Sequence, residues 1–351
     1  MKSKNFSVLG LDKFIHQSLY DKKDGYYMSS NPFGKKGDFI TSPNISIFFS
    51  EILADWIVSF CETLKKPKKF NLIEIGAGNG EMINTILKTL KNFPSAEKAC
   101  RIFILEKSPY LKKIQKKKIK NKNVVWINNL NKLKSSPCIF LANEFFDALP
   151  IKQFVKKKNL WFERKIKIYK GRNPEFIDIK VSIKKIEKLV GINVSKNQNF
   201  LEISKDMIDI FKLISKKIRE YNGGLLIIDY GYSDIKMKNT LRGIKRHKIV
   251  NFISNYKKCD ITHSLSFEFL KKIGLLNKLK VSGMTNQGSF LKKMGILERA
   301  EIVSKNLSFM EKSNIYYRLN KLVDKKFMGE VFKVLLLTNK KINFKLGFET
   351  D

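Results

Sequence analysis

Apolar positions along the chain first recur at helical spacing in Leu11, Phe14, Ile15 and Leu19, which predicts a short helix over 9–20. A wider stripe follows Thr41-Ser42-Pro43, through Ile45, Phe48, Phe49, Ile52, Leu53, Trp56, Ile57 and Phe60. A hydroxyl at 41 or 42 can cap that helix, with Pro43 in its first turn. From residue 70 the pattern changes to short apolar runs alternating with helix-period stretches. Strand 70–75, helix 80–92, strand 101–106, helix 109–120, Val124–Ile127 and Cys138–Ala142 follow in turn. Such alternation predicts a parallel sheet with helices on both faces, binding ligands at the C-terminal ends of its strands. Gly76, Glu106, Asn129 and Asn143 are expected on that edge.

Residues 151–200 read differently. Gln153–Val155, Leu160–Arg164, Lys165–Tyr169 and Phe176–Val181 are short alternating strands, with turns at Asn159 and Gly171-Arg172-Asn173. They predict an antiparallel insertion. A helix over 202–221 leads to a buried strand, Gly223–Tyr230. Residues 231–265 are basic and lack a clear period, as a lid over the substrate would. A helix near 266–273, a strand at Leu279–Val281 and a last strand at Val331–Leu337, antiparallel at the sheet edge, complete the chain. The expected organisation is therefore an N-terminal helical segment (1–66) closing over a ligand, a first part of the core (67–150), the insertion (151–200), and the rest of the core with its lid (201–351).

Composition narrows the class. The chain has 351 residues, 43% of them hydrophobic, enough for one enlarged domain or two. No apolar run reaches the roughly 18 residues of a membrane span. Four scattered cysteines and three scattered histidines lack metal-ligand spacing, so no metal and no disulfide framework are expected. The segment after the basic Met1–Asn5 is interrupted by Asp12, Lys13 and His16. It reads as neither a secretory signal nor a transit peptide, and the expectation is a bacterial cytoplasmic protein rather than one of the mitochondrial matrix. The formal net charge of +37 would suit RNA or anionic lipid. Lysines occur in every region, however, and the densest run, Lys112 to Lys118, reads as one solvated helix face.

The candidate chemistry lies in two stretches. Asn71-Leu72-Ile73-Glu74-Ile75-Gly76-Ala77-Gly78-Asn79-Gly80 is a strand ending in a glycine-rich turn. Its third glycine comes one residue early for a dinucleotide fingerprint, and Glu74 adds an acid. A ligand with a sulfonium and an amino-acid tail, S-adenosylmethionine, fits that acid better than a pyrophosphate does. About 30 residues beyond Gly76, Glu106 ends the second strand, where a carboxylate can accept both hydroxyls of a ribose. The second stretch, Asn143-Glu144-Phe145-Phe146-Asp147-Ala148-Leu149-Pro150, follows the fourth strand. It brings an amide and two carboxylates to the place where a methyl acceptor must lie. A desolvated carboxylate can orient a guanidinium and receive its proton, and Glu144, partnered by Asp147, is the candidate.

Over nearly its whole length the sequence resembles the MidA-like, mitochondrial complex I assembly-factor group of class I methyltransferases. The likeness includes Gly25–Met28, Asn31–Gly34, Gly37–Pro43, Ile73–Gly80, Glu106–Pro109, Asn143–Pro150, Asp229–Tyr232, Thr240–Arg242, Asp260–Thr262, Gln287-Gly288 and Phe290-Leu291. The resemblance implies a Rossmann-like α/β sheet, mostly parallel with an antiparallel last strand, with a helical N-terminal extension and a β-rich insertion. It implies S-adenosyl-L-methionine as cofactor, held by Glu74, Gly76, Gly78, Gly80 and Glu106 and closed over by Gly37 and Asp38. Asn143, Glu144 and Asp147 would face the acceptor. For eukaryotic members that acceptor is an arginine of a complex I subunit, symmetrically dimethylated. The chain departs from the group at His263-Ser264-Leu265-Ser266-Phe267, where the usual segment is Ala-His-Val-Asp-Phe. An RNA methyltransferase and a non-catalytic assembly chaperone that keeps the cofactor pocket are the alternatives.

Overall fold

In the computed structural model, residues 6–29, 32, 34, 38, 40–121, 123–133, 135–169 and 173–349 are described. Gly37, the nearby Phe33 and the turn residues Gly171 and Arg172 lie outside the described residues. The core is one sheet with the strand order Lys280–Asn286, Phe332–Thr338, Gly223–Tyr232, Cys138–Asn143, Phe70–Ile75, Cys100–Leu105, Val124–Ile127. The last five of these run parallel to one another, and Phe332–Thr338 is antiparallel to both its neighbours. Phe332–Thr338 does not form the edge expected of it, because Lys280–Asn286 pairs along its outer side. Its seven residues are all buried, as an inner strand requires.

Chain order reverses between Phe70–Ile75 and Cys138–Asn143. The two strands that follow Phe70–Ile75 lie on one side of it, and the later strands lie on the other. A crevice opens at such a switch point, beyond the strands' C-terminal ends. Both chemical stretches of the sequence leave the sheet there.

Period-two side chains separate the core into two layers. Leu226, Ile228, Val334 and Leu336 pack with Phe49, Trp56 and Phe60 of the helix Ile47–Thr63. Leu225, Ile227, Leu335 and Leu337 pack with Phe211 and Ile214 of the helix Lys205–Tyr221. The helix expected after Pro43 is two helices, Ser42–Ile45 and Ile47–Thr63, with Ser46 extended between them. Its hydroxyl accepts the Phe48 N–H, so Ser46 caps the second helix.

A satellite layer covers the crevice. The insertion is antiparallel, and its Leu160–Tyr169 is one continuous strand where two were expected. Lys158 and Asn159, both left-handed, form its two-residue turn. The helix Ile183–Val190 and the strand Phe200–Ile203 belong to this region too. Residues Phe6–Gly10, ahead of the N-terminal helix, form a strand on Lys165–Tyr169, a pairing too distant in sequence for local pattern to show. The segment expected to be an irregular lid instead carries a three-stranded antiparallel sheet, Arg242–Lys245, Lys248–Val250 and Asp260–Thr262. Leu11, Phe14, Ile15 and Leu19 bury against Ile166 of the insertion, Ile261 of this sheet, and Phe252 and Ile253 of the segment joining its last two strands. Their shared apolar core fixes the cover relative to the crevice. Among the described residues no helix is long and apolar enough to cross a membrane.

Candidate active site

The glycine turn folds as it does because three backbone positions need left-handed angles. Gly76, Gly78 and Gly80 have φ of 70°, 50° and 79°. A side chain at Gly76 would also meet the Phe145 ring, its Cβ lying 2.6 Å from Cδ2. The turn thus packs directly on the second chemical stretch. Asn79 accepts the Glu81 N–H at 3.1 Å and donates to Asn44 Oδ1 at 2.9 Å, tying the turn to the helix Ser42–Ile45.

Glu106 is nearly buried at the end of its strand. Its Oε1 accepts the Ser108 N–H at 2.8 Å and its Oε2 accepts from Gln115 Nε2 at 3.1 Å. Burial raises its pKa against those bonds. Gln115 also donates to the Gly78 carbonyl at 2.8 Å and accepts from Trp126 Nε1 at 2.9 Å, so one fully buried amide joins the turn, the acid and the third strand. Gln115 went unnoticed in the sequence because it sits inside the lysine run, where a solvated face was expected. An uncharged residue amid Lys112, Lys113, Lys116, Lys117 and Lys118 was the available signal.

A cavity of about 430 Å³ opens beside the turn. Gly76, Gly78, Glu106, Glu144, Phe145, Asp147, Tyr20, Tyr27, Asp260 and Arg242 are among its walls. A smaller cavity of about 40 Å³ adjoins it, walled by Glu74, Asn143 and Pro43 and sharing Gly76, Gly78 and Glu144 with the larger one. Glu74 is buried, and its Oε2 has no hydrogen-bond partner. Burial, then the nearby Glu106, push it up to about 8.

Glu144 stands where the two cavities meet. Its backbone is left-handed, φ 50°, which is strained for a side chain of this size and is held by the Glu144 N–H bond to the Ile228 carbonyl at 2.9 Å. Its Oε1 accepts from the Ser42 N–H at 3.0 Å and from Asn143 Nδ2 at 3.2 Å. Burial outweighs these bonds and pushes Glu144 up to about 8. Asn143 Oδ1 is buried without a partner. Asp147 lies on the short turn Phe146–Ala148, which Asp229 fixes by accepting the Phe146 and Asp147 N–H groups at 3.1 and 3.3 Å. Thr262 donates to Asp147 Oδ2 at 2.9 Å, while Oδ1 is buried and unpartnered. Desolvation pushes Asp147 up to about 6.

The structure thus brings Glu74, Gly76, Gly78, Glu106, Asn143, Glu144 and Asp147 to the walls of two cavities that share Gly76, Gly78 and Glu144. Asp38 reaches the larger cavity too, but its carboxylate is engaged by protein, accepting from the Arg246 N–H at 2.7 Å and from the Tyr26 hydroxyl. Gly80 backs onto Ile119 and Gln115 and caps the helix Glu81–Leu90. Asn129 is not brought to the cavity: it is exposed, and its side chain caps the turn Leu130–Lys132 by accepting the Asn131 N–H. Gly37 lies outside the described residues.

These groups fit S-adenosyl-L-methionine. The unpartnered Glu74 oxygen suits a cationic amino-acid tail, Glu106 suits ribose hydroxyls, and the bare Gly76 and Gly78 allow close approach of a ligand to backbone.

Comparison with known proteins agrees. Residues 52–285 match the family described as "Putative S-adenosyl-L-methionine-dependent methyltransferase". A curated relative, "Protein arginine methyltransferase NDUFAF7, mitochondrial" of Xenopus tropicalis, is 28% identical over 95% of this chain and 83% of its own. The protein of the same name from Homo sapiens is 27% identical over 96% of this chain and 81% of its own. A crystal structure of a "likely methyl transferase from Burkholderia thailandensis bound to S-adenosyl-homocysteine" shares the fold, with a TM-score of 0.78 at 20% identity over 98% of this chain and 89% of that one. Both curated relatives are mitochondrial proteins, which overturns the expectation of a bacterial cytoplasmic protein. The polarity of the first twenty residues, on which that expectation rested, does not identify a compartment. With two thirds of its length matched and the cofactor groups gathered at the switch point, this chain belongs to the family of S-adenosyl-L-methionine-dependent methyltransferases.

Proposed function

We propose that the protein is a protein arginine methyltransferase, acting in mitochondria on an arginine of a complex I subunit and dimethylating it symmetrically. One observation carries this reading. In a chain of net charge +37, the larger cavity is walled by five carboxylates, Asp38, Glu106, Glu144, Asp147 and Asp260, against three cations, Lys107, Arg242 and Lys321. A basic protein that gathers acids around this cavity selects a cationic acceptor and repels a phosphate backbone. The relatives' activity supports the same substrate class.

When bound, S-adenosyl-L-methionine supplies an electrophilic methyl group. The chain's own residues supply position and charge. A guanidinium is protonated at any ordinary pH, and its lone pair is delocalised. Glu144, at the junction of the cavities, is placed to hold the reacting nitrogen, localise the positive charge on the opposite part of the group and accept the proton released. The Ser42 N–H and Asn143 amide fix its Oε1 and leave Oε2 for the acceptor. Asp229 keeps the following turn rigid.

The test is transfer of labelled methyl groups to complex I subunits, followed by mass spectrometry. Symmetric dimethylarginine on one subunit, abolished by Glu144→Gln, is the expected result. Label confined to RNA or lysine, or no label at all with cofactor bound, would overturn the reading.

A further inference from the structure

Asp260 opens the strand Asp260–Thr262, and residues two apart on a strand face the same way. The two side chains do related work. Asp260 is nearly buried on the cavity wall, with Oδ1 accepting from the Tyr27 hydroxyl at 2.8 Å. Thr262 grips Asp147 through its Oδ2 at 2.9 Å, and the next residue, His263, donates its N–H to the Asp147 carbonyl at 3.1 Å. A strand more than 110 residues away in sequence therefore supplies one carboxylate and orients another. The Asp147 oxygen left over, Oδ1, has no partner. Beside the two acids stand Tyr20 and Tyr27, their rings stacked 5.7 Å apart at 18°. Tyr20 donates to the Ala148 carbonyl at 2.9 Å, which locks this aromatic wall to the Asp147 turn.

We infer that Asp147 and Asp260 form a two-carboxylate seat for the acceptor guanidinium, with the Tyr20–Tyr27 pair along its face. This rests on the arginine reading above and divides the labour of the acids. Glu144 acts on the nitrogen that reacts, while Asp147 and Asp260 bind the parts that do not. A planar guanidinium has five N–H donors in fixed directions and a face that stacks on aromatic rings. Two carboxylates and an aromatic wall answer both features. A lysine ammonium has three donors and could bridge both acids, as Lys152 bridges Asp12 and Glu163 elsewhere in the fold, but it has no planar face to lie against the rings. Arg242, whose guanidinium stands 5.7 Å from the Tyr230 ring, faces the same cavity from another strand and balances part of its negative charge.

The test compares wild type, Asp260→Asn and Tyr27→Phe with methyl donor and an arginine peptide or its lysine counterpart. Asp260→Asn keeps the side chain's shape and removes its charge. Tyr27→Phe keeps the ring and removes the hydrogen bond that aims Asp260. The expected result is a KM for the arginine peptide raised roughly 10-fold or more by Asp260→Asn and about 3-fold by Tyr27→Phe, on the scale of a charged hydrogen bond lost or loosened. Affinity for S-adenosyl-homocysteine should be unchanged in both. An unaltered arginine KM in an active Asp260→Asn removes the seat while the arginine reading stands. Should Asp260→Asn fail to fold, an unaltered KM in Tyr27→Phe decides against the seat. A wild type that methylates lysine and not arginine overturns the underlying reading instead.

Discussion

The cofactor end and the proposed acceptor end of the site are built in contrasting ways. At the cofactor end, Glu74, the three glycines and Glu106 come from two neighbouring strands and the turn and helices between them, and a single amide, Gln115, ties the turn to Glu106. At the acceptor end, Glu144 and Asp147 follow the fourth strand, while Asp229, Asp260, Thr262 and the Tyr20–Tyr27 wall arrive from four other places in the chain. The first is fixed by local backbone geometry. The second exists only when the N-terminal helices and the Arg242–Thr262 sheet have packed over the crevice.

Several experiments would break or sharpen that contrast. Glu144→Gln should produce the largest effect, a loss of roughly 10²–10⁴-fold in kcat with affinity for S-adenosyl-homocysteine within twofold, measured by turnover and calorimetry. Equal losses in both quantities would mean the two ends are not separable. Gly76→Ala should act at the cofactor end. A left-handed φ of 70° and a Cβ 2.6 Å from the Phe145 ring together cost a few kcal/mol, about 1–3 of them from backbone strain. The binding isotherm for S-adenosyl-homocysteine should weaken at least tenfold. Gln115→Ala strands one oxygen of Glu106, a change of about 1–3 kcal/mol. It should lower donor affinity more than acceptor affinity, as competition kinetics would show.

The pH dependences of the two properties should run in opposite directions. Asp147, Asp260 and Glu144 must be ionised to hold a guanidinium, and burial places them at about 6, 7 and 8. Acceptor kcat/KM should therefore rise across that interval. Stability without ligand should fall instead. The native values of Glu74 and Glu144, about 8, lie above the ~4 of an unfolded carboxyl, so the native state retains protons the unfolded chain has lost. That contribution is complete below about pH 4 and is lost as pH rises through 8. Melting temperature against pH, with and without donor, would show it. A flat profile would mean that these acids are solvated. Asn129→Ala should be the mildest change, about 0.5–1 kcal/mol of stability from a lost cap and no shift in donor affinity.

What could be read in the sequence follows the same division. The core strands and the glycine turn were legible because each is a run of contiguous residues with its own period. Val124–Ile127 needed no distant partner to be recognised. The strand Phe6–Gly10 was hidden because its partner lies some 160 residues away. The Arg242–Thr262 sheet was hidden because its strands are short and two of them basic, with the left-handed Arg246 and His247 at one turn where sequence offered no glycine. Asp260 was visible as part of a motif, but its place beside Asp147 depends on Thr262, and no spacing rule joins residues 147 and 262.

The most direct test of the central claim is calorimetric titration of the protein, saturated with S-adenosyl-homocysteine, with an arginine peptide and with the same peptide carrying citrulline. Citrulline keeps the shape and loses the charge. Binding of the arginine form at least ten times tighter, by an amount that grows from pH 6 to pH 8, is the predicted result. Equal affinities at pH 8 would contradict an acidic chamber built for a guanidinium.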